Sequence, residues 1–146
     1  MKRIAHLWVL VLAVGLVSWA GVKVAGAAAI TNVTVSKGAK NVYVKVQAAG
    51  PIQYKVHHLP PGSDDYRNIV VDVWPAHIVA GKEPKARLAV DEGLVANVRV
   101  RQHGGGVRIF VDVVAWPRYQ VMSDGHSVTL KIDAYHMRDK SPGSLK

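Results

Sequence analysis

The sequence predicts an all-β protein, a β-sandwich of two similar antiparallel sheets formed by an internal duplication. Three observations carry this expectation. From Ile30 onward apolar and polar residues alternate with period 2, the mark of half-buried strands. Valine, isoleucine, threonine and tyrosine, the residues that fit a pleated surface, fill the alternating stretches. Residues 32–56 are also written a second time, loosely, as residues 97–121. Asn32-Val33-Thr34-Val35 answers Asn97-Val98-Arg99-Val100, Val42-Tyr43-Val44-Lys45-Val46 answers Val107-Arg108-Ile109-Phe110-Val111, and Pro51-Ile52-Gln53-Tyr54-Lys55-Val56 answers Pro117-Arg118-Tyr119-Gln120-Val121 with one residue deleted.

The chain opens with Met1-Lys2-Arg3 and an apolar run from Leu7 to Val22, followed by Ala25-Gly26-Ala27. A charged start, an apolar middle and a small-x-small end make a secretion signal, so residues 1–27 are expected to be a signal peptide with the mature chain starting near Ala28. The competing reading is an uncleaved anchor, because the 4–22 stretch approaches the roughly 20 residues a spanning helix needs. Either way the protein leaves the cytoplasm, and the expected location is the periplasm. Any contact with a membrane would run through an uncleaved leader. With no cysteine in the chain, neither a disulfide framework nor a thiolate metal site can form.

Nine strands are expected in order. The first copy supplies 30–36, 41–48, 52–59 and 68–74. A strand at 86–90 follows, and the second copy supplies 95–103, 107–114, 119–122 and 127–134. Turn residues punctuate them: Lys37-Gly38-Ala39-Lys40 and Gly104-Gly105-Gly106 after the first strand of each copy, Ala49-Gly50-Pro51 and Ala115-Trp116-Pro117 after the second, and Ser123-Asp124-Gly125 after the third strand of copy two. Pro60-Pro61-Gly62-Ser63-Asp64-Asp65 makes a longer loop in copy one. Each copy thus reads as a four-stranded meander forming its own sheet. The 74–87 segment, with Pro75, Gly81 and Pro84, reads as an irregular crossover with at most one helical turn.

Alternation also assigns faces. Val33, Val35, Val42, Val44, Val46, Ile52, Tyr54, Val56, Ile69, Val71 and Val73 point inward in copy one, and Val98, Val100, Val107, Ile109, Val111, Tyr119, Val121, Val128, Leu130 and Ile132 in copy two. The sandwich domain is expected over residues 30–134, and the Ser, Pro, Gly and basic composition of 135–146 predicts a flexible tail.

Ile30 to Val46 as an opening strand pair, Asn68-Ile69-Val70-Val71-Asp72-Val73 as a strand, and Val98-Arg99-Val100-Arg101-Gln102 followed by Val107-Arg108-Ile109-Phe110-Val111-Asp112 together resemble the AMIN domain. That domain occurs in exported cell-wall amidases and in periplasmic parts of type IV pilus secretins. The resemblance covers nearly all of the mature chain. It implies a β-sandwich that binds peptidoglycan and localises its host in the envelope, without catalysis of its own. In those relatives the amidase activity belongs to a separate zinc domain. Possible partners under the resemblance are peptidoglycan and envelope proteins, either an amidase or secretin components.

The search for chemistry leads the same way. His57 and His58 are adjacent, so on a strand they face opposite sides and cannot chelate one ion. His77, His103, His126 and His136 fall in or beside turns without metal-like spacing, and neither a nucleophile elbow nor a His-Glu-x-x-His stretch is present. The expectation is a protein that is no enzyme and needs no metal or cofactor. Asp72, Asp112 and Asp133 stand at outward positions, where carboxylates are normally solvated or paired across strands.

The formal charge is +9, and removal of Lys2, Arg3 and Lys23 with the leader leaves +6. That balance favours anionic partners. No nucleic-acid recognition motif accompanies it, so wall carboxylates are the expected target rather than nucleic acid. The candidate binding residues are Arg99, Arg101, Arg108, Phe110, Arg118 and Lys131 from copy two with Tyr43 from copy one, since arginine forks pair with carboxylates and an outward ring can pack on a sugar. Trp74 and Trp116 each precede a proline at a strand end, where the ring either caps the sandwich edge or stacks on a ligand. The alternative function is a periplasmic protein-interaction adaptor of an envelope machine such as a type IV pilus or secretin complex.

Overall fold

The computed structural model describes residues 26–63, 65–85 and 87–137, the last of these through its backbone. All but the last two residues of the expected leader lie outside this range, as do residues 138–146 of the expected tail. The described residues form ten strands: β1 (Ala28–Lys37), β2 (Asn41–Ala48), β3 (Gln53–Leu59), β4 (Arg67–Trp74), β5 (Ala76–Ile78), β6 (Arg87–Glu92), β7 (Val95–His103), β8 (Gly106–Val113), β9 (Pro117–Ser123) and β10 (Ser127–Met137). The nine expected strands are all present. The crossover after Trp74 holds a tenth, and a local turn in it is closed by Lys82 N donating to Val79 O at 3.0 Å. β10 continues three residues past Ala134, into the stretch expected to be tail.

The strands make two five-stranded sheets, β5-β1-β2-β10-β9 and β3-β4-β8-β7-β6. The expectation of one sheet per copy is therefore wrong. β10 pairs with β2 through Val44↔Leu130 and Ile132↔Val42, and β4 pairs with β8 through Val71↔Ile109. Each sheet takes two neighbouring strands from either half of the chain, because the connections after β2, β4, β5 and β8 carry the chain from one sheet to the other. The expectation of purely antiparallel sheets also fails, at β5, which runs parallel to β1 through Ala28↔Ala76 and Ile30↔Ile78.

One hydrophobic cluster draws on both sheets, with Val44, Leu130 and Ile132 from the first and Val71, Ile109 and Val111 from the second. The inward assignments hold apart from Tyr54, which is exposed; Val35, Val56, Tyr119 and Val121 are half-buried and pack on the cluster. Three contacts tie the sheets at their margins. His58 Nε2 meets Tyr119 Oη at 2.8 Å, with the Trp116 ring edge-on to the imidazole at 4.8 Å, joining β3 to β9. Glu92 contacts Lys37 at 3.6 Å and accepts from the Tyr135 hydroxyl. Gln102 of the second sheet binds β5 of the first. Close approach also requires Gly93, at φ +53°: a Cβ there would stand 2.0 Å from Ala134 O, the carbonyl that accepts from Leu94 N.

Candidate functional site

The outward side of the second sheet carries Arg99, Arg101, Arg108 and Phe110, and its first property is that much of it is occupied by its own partners. Alternation on β8 turns Arg108, Phe110 and Asp112 away from the shared core, yet Asp112 is only 1 % exposed. Arg99 Nε donates to Asp112 Oδ2 at 2.9 Å and Arg99 Nη2 to Asp112 Oδ1 at 2.7 Å, a two-pronged pair, while Nη2 also donates to Asn68 Oδ1 at 2.9 Å. The guanidinium lies 4.8 Å from the centre of the Phe110 ring. Beneath this layer Val70 is fully buried on the side facing away from the core. Of the two states expected at Asp112, solvated or paired across strands, the structure has the second, as a buried ion pair between β7 and β8. A carboxylate can be held there only because the guanidinium fork satisfies it.

Arg108 is engaged in the same way. Its Nε donates to Asp72 Oδ1 at 2.6 Å and its Nη2 to Asp72 Oδ2 at 2.9 Å, across directly paired strands. This bond from Arg108 holds the Asp72 carboxyl below its ordinary pKa, with the nearby positive charge of Arg108 adding to it against the opposing effect of burial. His57 Nδ1 stands 3.7 Å from Asp72 Oδ2 and has no hydrogen-bond partner among the described residues. Arg101 differs from both: it is exposed and makes no ion pair among the described residues. It sits opposite Arg108, which sits opposite Asp72, which sits opposite Lys55. One row across four strands thus holds three cations and one carboxylate, with the exposed cations at its two ends.

At the end of this face lies a cleft of about 410 Å³ lined by Asp72, Trp74, Pro75, His103, the triglycine turn and Arg108. Trp74 is 38 % exposed. The turn can cross the end of β4 only because Gly106 lacks a side chain, since a Cβ there would approach Val73 O to 2.4 Å. Gln102 pins it: Nε2 donates to Gly106 O at 2.8 Å and reaches Ala76 O at 3.3 Å, while Oε1 accepts from Ile78 N at 3.0 Å. Ala76 N adds a bond to Gly105 O at 3.2 Å.

The remaining expected site residues are elsewhere. Tyr43 and Lys131 are directly paired on β2 and β10 of the first sheet. Arg118 and Lys131 line a separate concavity of about 320 Å³ with Asn41, Tyr119, Gln120 and Asp133. The candidate residues are thus divided between two faces, Arg99, Arg101, Arg108 and Phe110 on one sheet and Arg118, Lys131 and Tyr43 on the other. Sequence reading passed over Asn68, Gln102 and Gly106. Gln102 had a signal, a long amide beside three glycines with bare backbone to bind. The roles of Asn68 and Asp112 had none, because alternation placed both outside.

Among the described residues no group of three His, Asp or Glu side chains could hold a metal ion. Trp116 is half-buried against the core, unlike Trp74. No family model matches the chain, and no curated protein matches it.

Proposed function

We propose that this chain is an exported, non-catalytic module that binds peptidoglycan in the periplasm and localises there, with the outward side of the second sheet as the contact. The observation that carries the reading is the Lys55-Asp72-Arg108-Arg101 row. Strands about 4.8 Å apart spread it over roughly 14 Å. Asp72 already compensates Arg108, so the surplus positive charge of the row sits on Arg101 and Lys55 at its two ends. Exposed cations at both ends suit the carboxylates of wall stem peptides. The +6 balance of the expected mature chain would draw such a polymer in from a distance.

The fold belongs to the same reading. Matching β1, β2, β3 and β4 to β7, β8, β9 and β10 converts the first sheet's order into the second's, with β6 standing where β5 stood. That correspondence supports a sandwich formed by duplication, in which the copies exchange their second strand pairs. It also supports the AMIN resemblance as the family reading. The outward residues have diverged: Thr34 and Gln47 occupy the positions of Arg99 and Asp112, so the buried ion pair belongs to one face alone.

Cosedimentation with purified sacculi tests the proposal. The protein is expected to pellet with the wall, and an Arg101→Ala, Lys55→Ala double variant to lose at least tenfold in retention, with raised salt acting in the same direction. Absence of retention would remove the function, and retention indifferent to both substitutions would remove the site. A second reading, docking onto an envelope protein, is favoured by the edge of β1. β5 covers only Ala28 to Ile30, so among the described residues the strand beyond has no paired neighbour on that side, beside a groove of about 420 Å³ bordered by Thr34, Val35, Lys37, Leu88 and Val90. Crosslinked partners that persist after wall digestion would establish it.

A further inference from the structure

We infer that the Trp74 cleft is a subsite for a single uncharged pyranose ring of an N-acetylated glycan chain. The inference rests on the wall-binding reading and assigns the part of the wall that this cleft would take. Its volume of about 410 Å³ falls in the range of small-ligand sites, and it combines an aromatic wall with a few fixed polar groups, as such sites do.

Three features select a sugar over the other wall component, the anionic peptide. Trp74 remains 38 % exposed at the end of β4, although a ring of this size would normally be covered if it served packing alone. A pyranose offers it one face of C–H groups. The neighbouring charges are already compensated: the Arg108 fork and the Asp72 carboxylate meet at 2.6 and 2.9 Å, leaving a joined rim of N–H donors and carboxylate lone pairs with no net charge. Hydroxyl groups, which both donate and accept, match such a rim, whereas a free carboxylate would meet Asp72. The floor is backbone. Gly104 and Gly105 are exposed and bear no side chain, so a ring can lie against their peptide groups, and nothing stands within 4 Å of where a Cβ would be at either.

The site is also rigid before any ligand arrives. Gln102 bonds the Gly106 carbonyl and both ends of β5, and Gly105 O accepts from Ala76 N, so the turn is held to two sheets at once. Holding a loop in its bound shape lowers the ordering cost of binding. Arg101 lies one strand beyond Arg108 on the same face, within reach of an acidic substituent on the same or the next residue of the glycan.

The test titrates the full chain with hexa-N-acetylchitohexaose by calorimetry and, in parallel, measures cosedimentation with sacculi. Saturable binding is expected, weakened at least tenfold by Trp74→Ala and less by Trp74→Phe, with circular dichroism confirming that both variants retain the strand spectrum. The phenylalanine variant keeps the test decisive if the alanine variant unfolds. Retention on sacculi without oligosaccharide binding, or with binding equal in all three proteins, overturns the subsite and leaves the wall reading standing. Loss of both in the unaltered protein overturns both. Competition at Trp74 by a soluble stem peptide and not by the oligosaccharide also overturns the sugar assignment.

Discussion

Replacing Arg99 by alanine should unfold a large share of this protein's stability, although on sequence it is one more outward arginine. In the structure its side chain is 21 % exposed and that of Asp112 2 %. Among the described residues, three hydrogen bonds reach the Asp112 carboxylate from Arg99, two from Nε and one from Nη2. Alanine would leave a carboxylate buried with none of them, and breaking a buried pair from one side costs about 3–5 kcal/mol. The packing of the guanidinium over Phe110 adds roughly 0.5–1 kcal/mol within that figure. Against the ~5–15 kcal/mol of a domain this size, the loss is severe. Urea unfolding followed by circular dichroism reads it directly: with a slope of about 1–3 kcal/mol per molar, the midpoint should fall by about 1–3 M or more. Arg101→Ala, which removes no pair, should stay within about 0.5 kcal/mol of the unaltered protein. Removing both partners, as Arg99→Met with Asp112→Leu, should recover most of the loss. A deficit below about 1 kcal/mol for Arg99→Ala, or no recovery in the double variant, would refute the buried-pair argument.

Two glycines one residue apart should behave differently. Gly106→Ala places a Cβ 2.4 Å from the Val73 carbonyl, a backbone atom that cannot swing away, whereas nothing lies within 4 Å of a Cβ at Gly105. The thermal midpoint should drop clearly for the first and little for the second, and equal midpoints would contradict the close approach. Stability should also fall in acid. Asp72 has its folded pKa lowered from 3.8, chiefly by the bond from Arg108, so its contribution is complete above the unfolded pKa and lost as pH falls through the folded one. Urea midpoints should therefore stay level from neutrality to about pH 5 and decline below about pH 4. Asp72→Asn should make that decline shallower, and an unchanged slope would exclude Asp72 as a source.

Much of the fold was readable because the strand period is a local property. Valines at every second position report which side of a sheet is covered, and the turns are written in glycine, proline and aspartate, so Asn41–Ala48 and Val95–His103 match the expected bounds. β5 was hidden because three residues show no period, and Ala76-His77-Ile78 becomes a strand only through β1. Of the site, the residue types were visible and their state was not. Arg99, Arg101 and Arg108 alternate alike with valine, yet Arg101 alone of the three pairs with no carboxylate among the described residues.

By itself the sequence determined the β class, the strand positions, the inward valines and the basic balance, since each depends on neighbours a few residues away along the chain. Only the tertiary structure decided which strands pair, because alternation marks a face and carries no record of the adjacent strand. Val44 would satisfy the same pattern beside any apolar partner, and the fold gives it Leu130. The same limit governed the arginines. Whether a guanidinium waits for a ligand or closes on its own carboxylate depends on Asn68, Asp72 and Asp112, brought in from separate strands by pairings that local alternation does not encode.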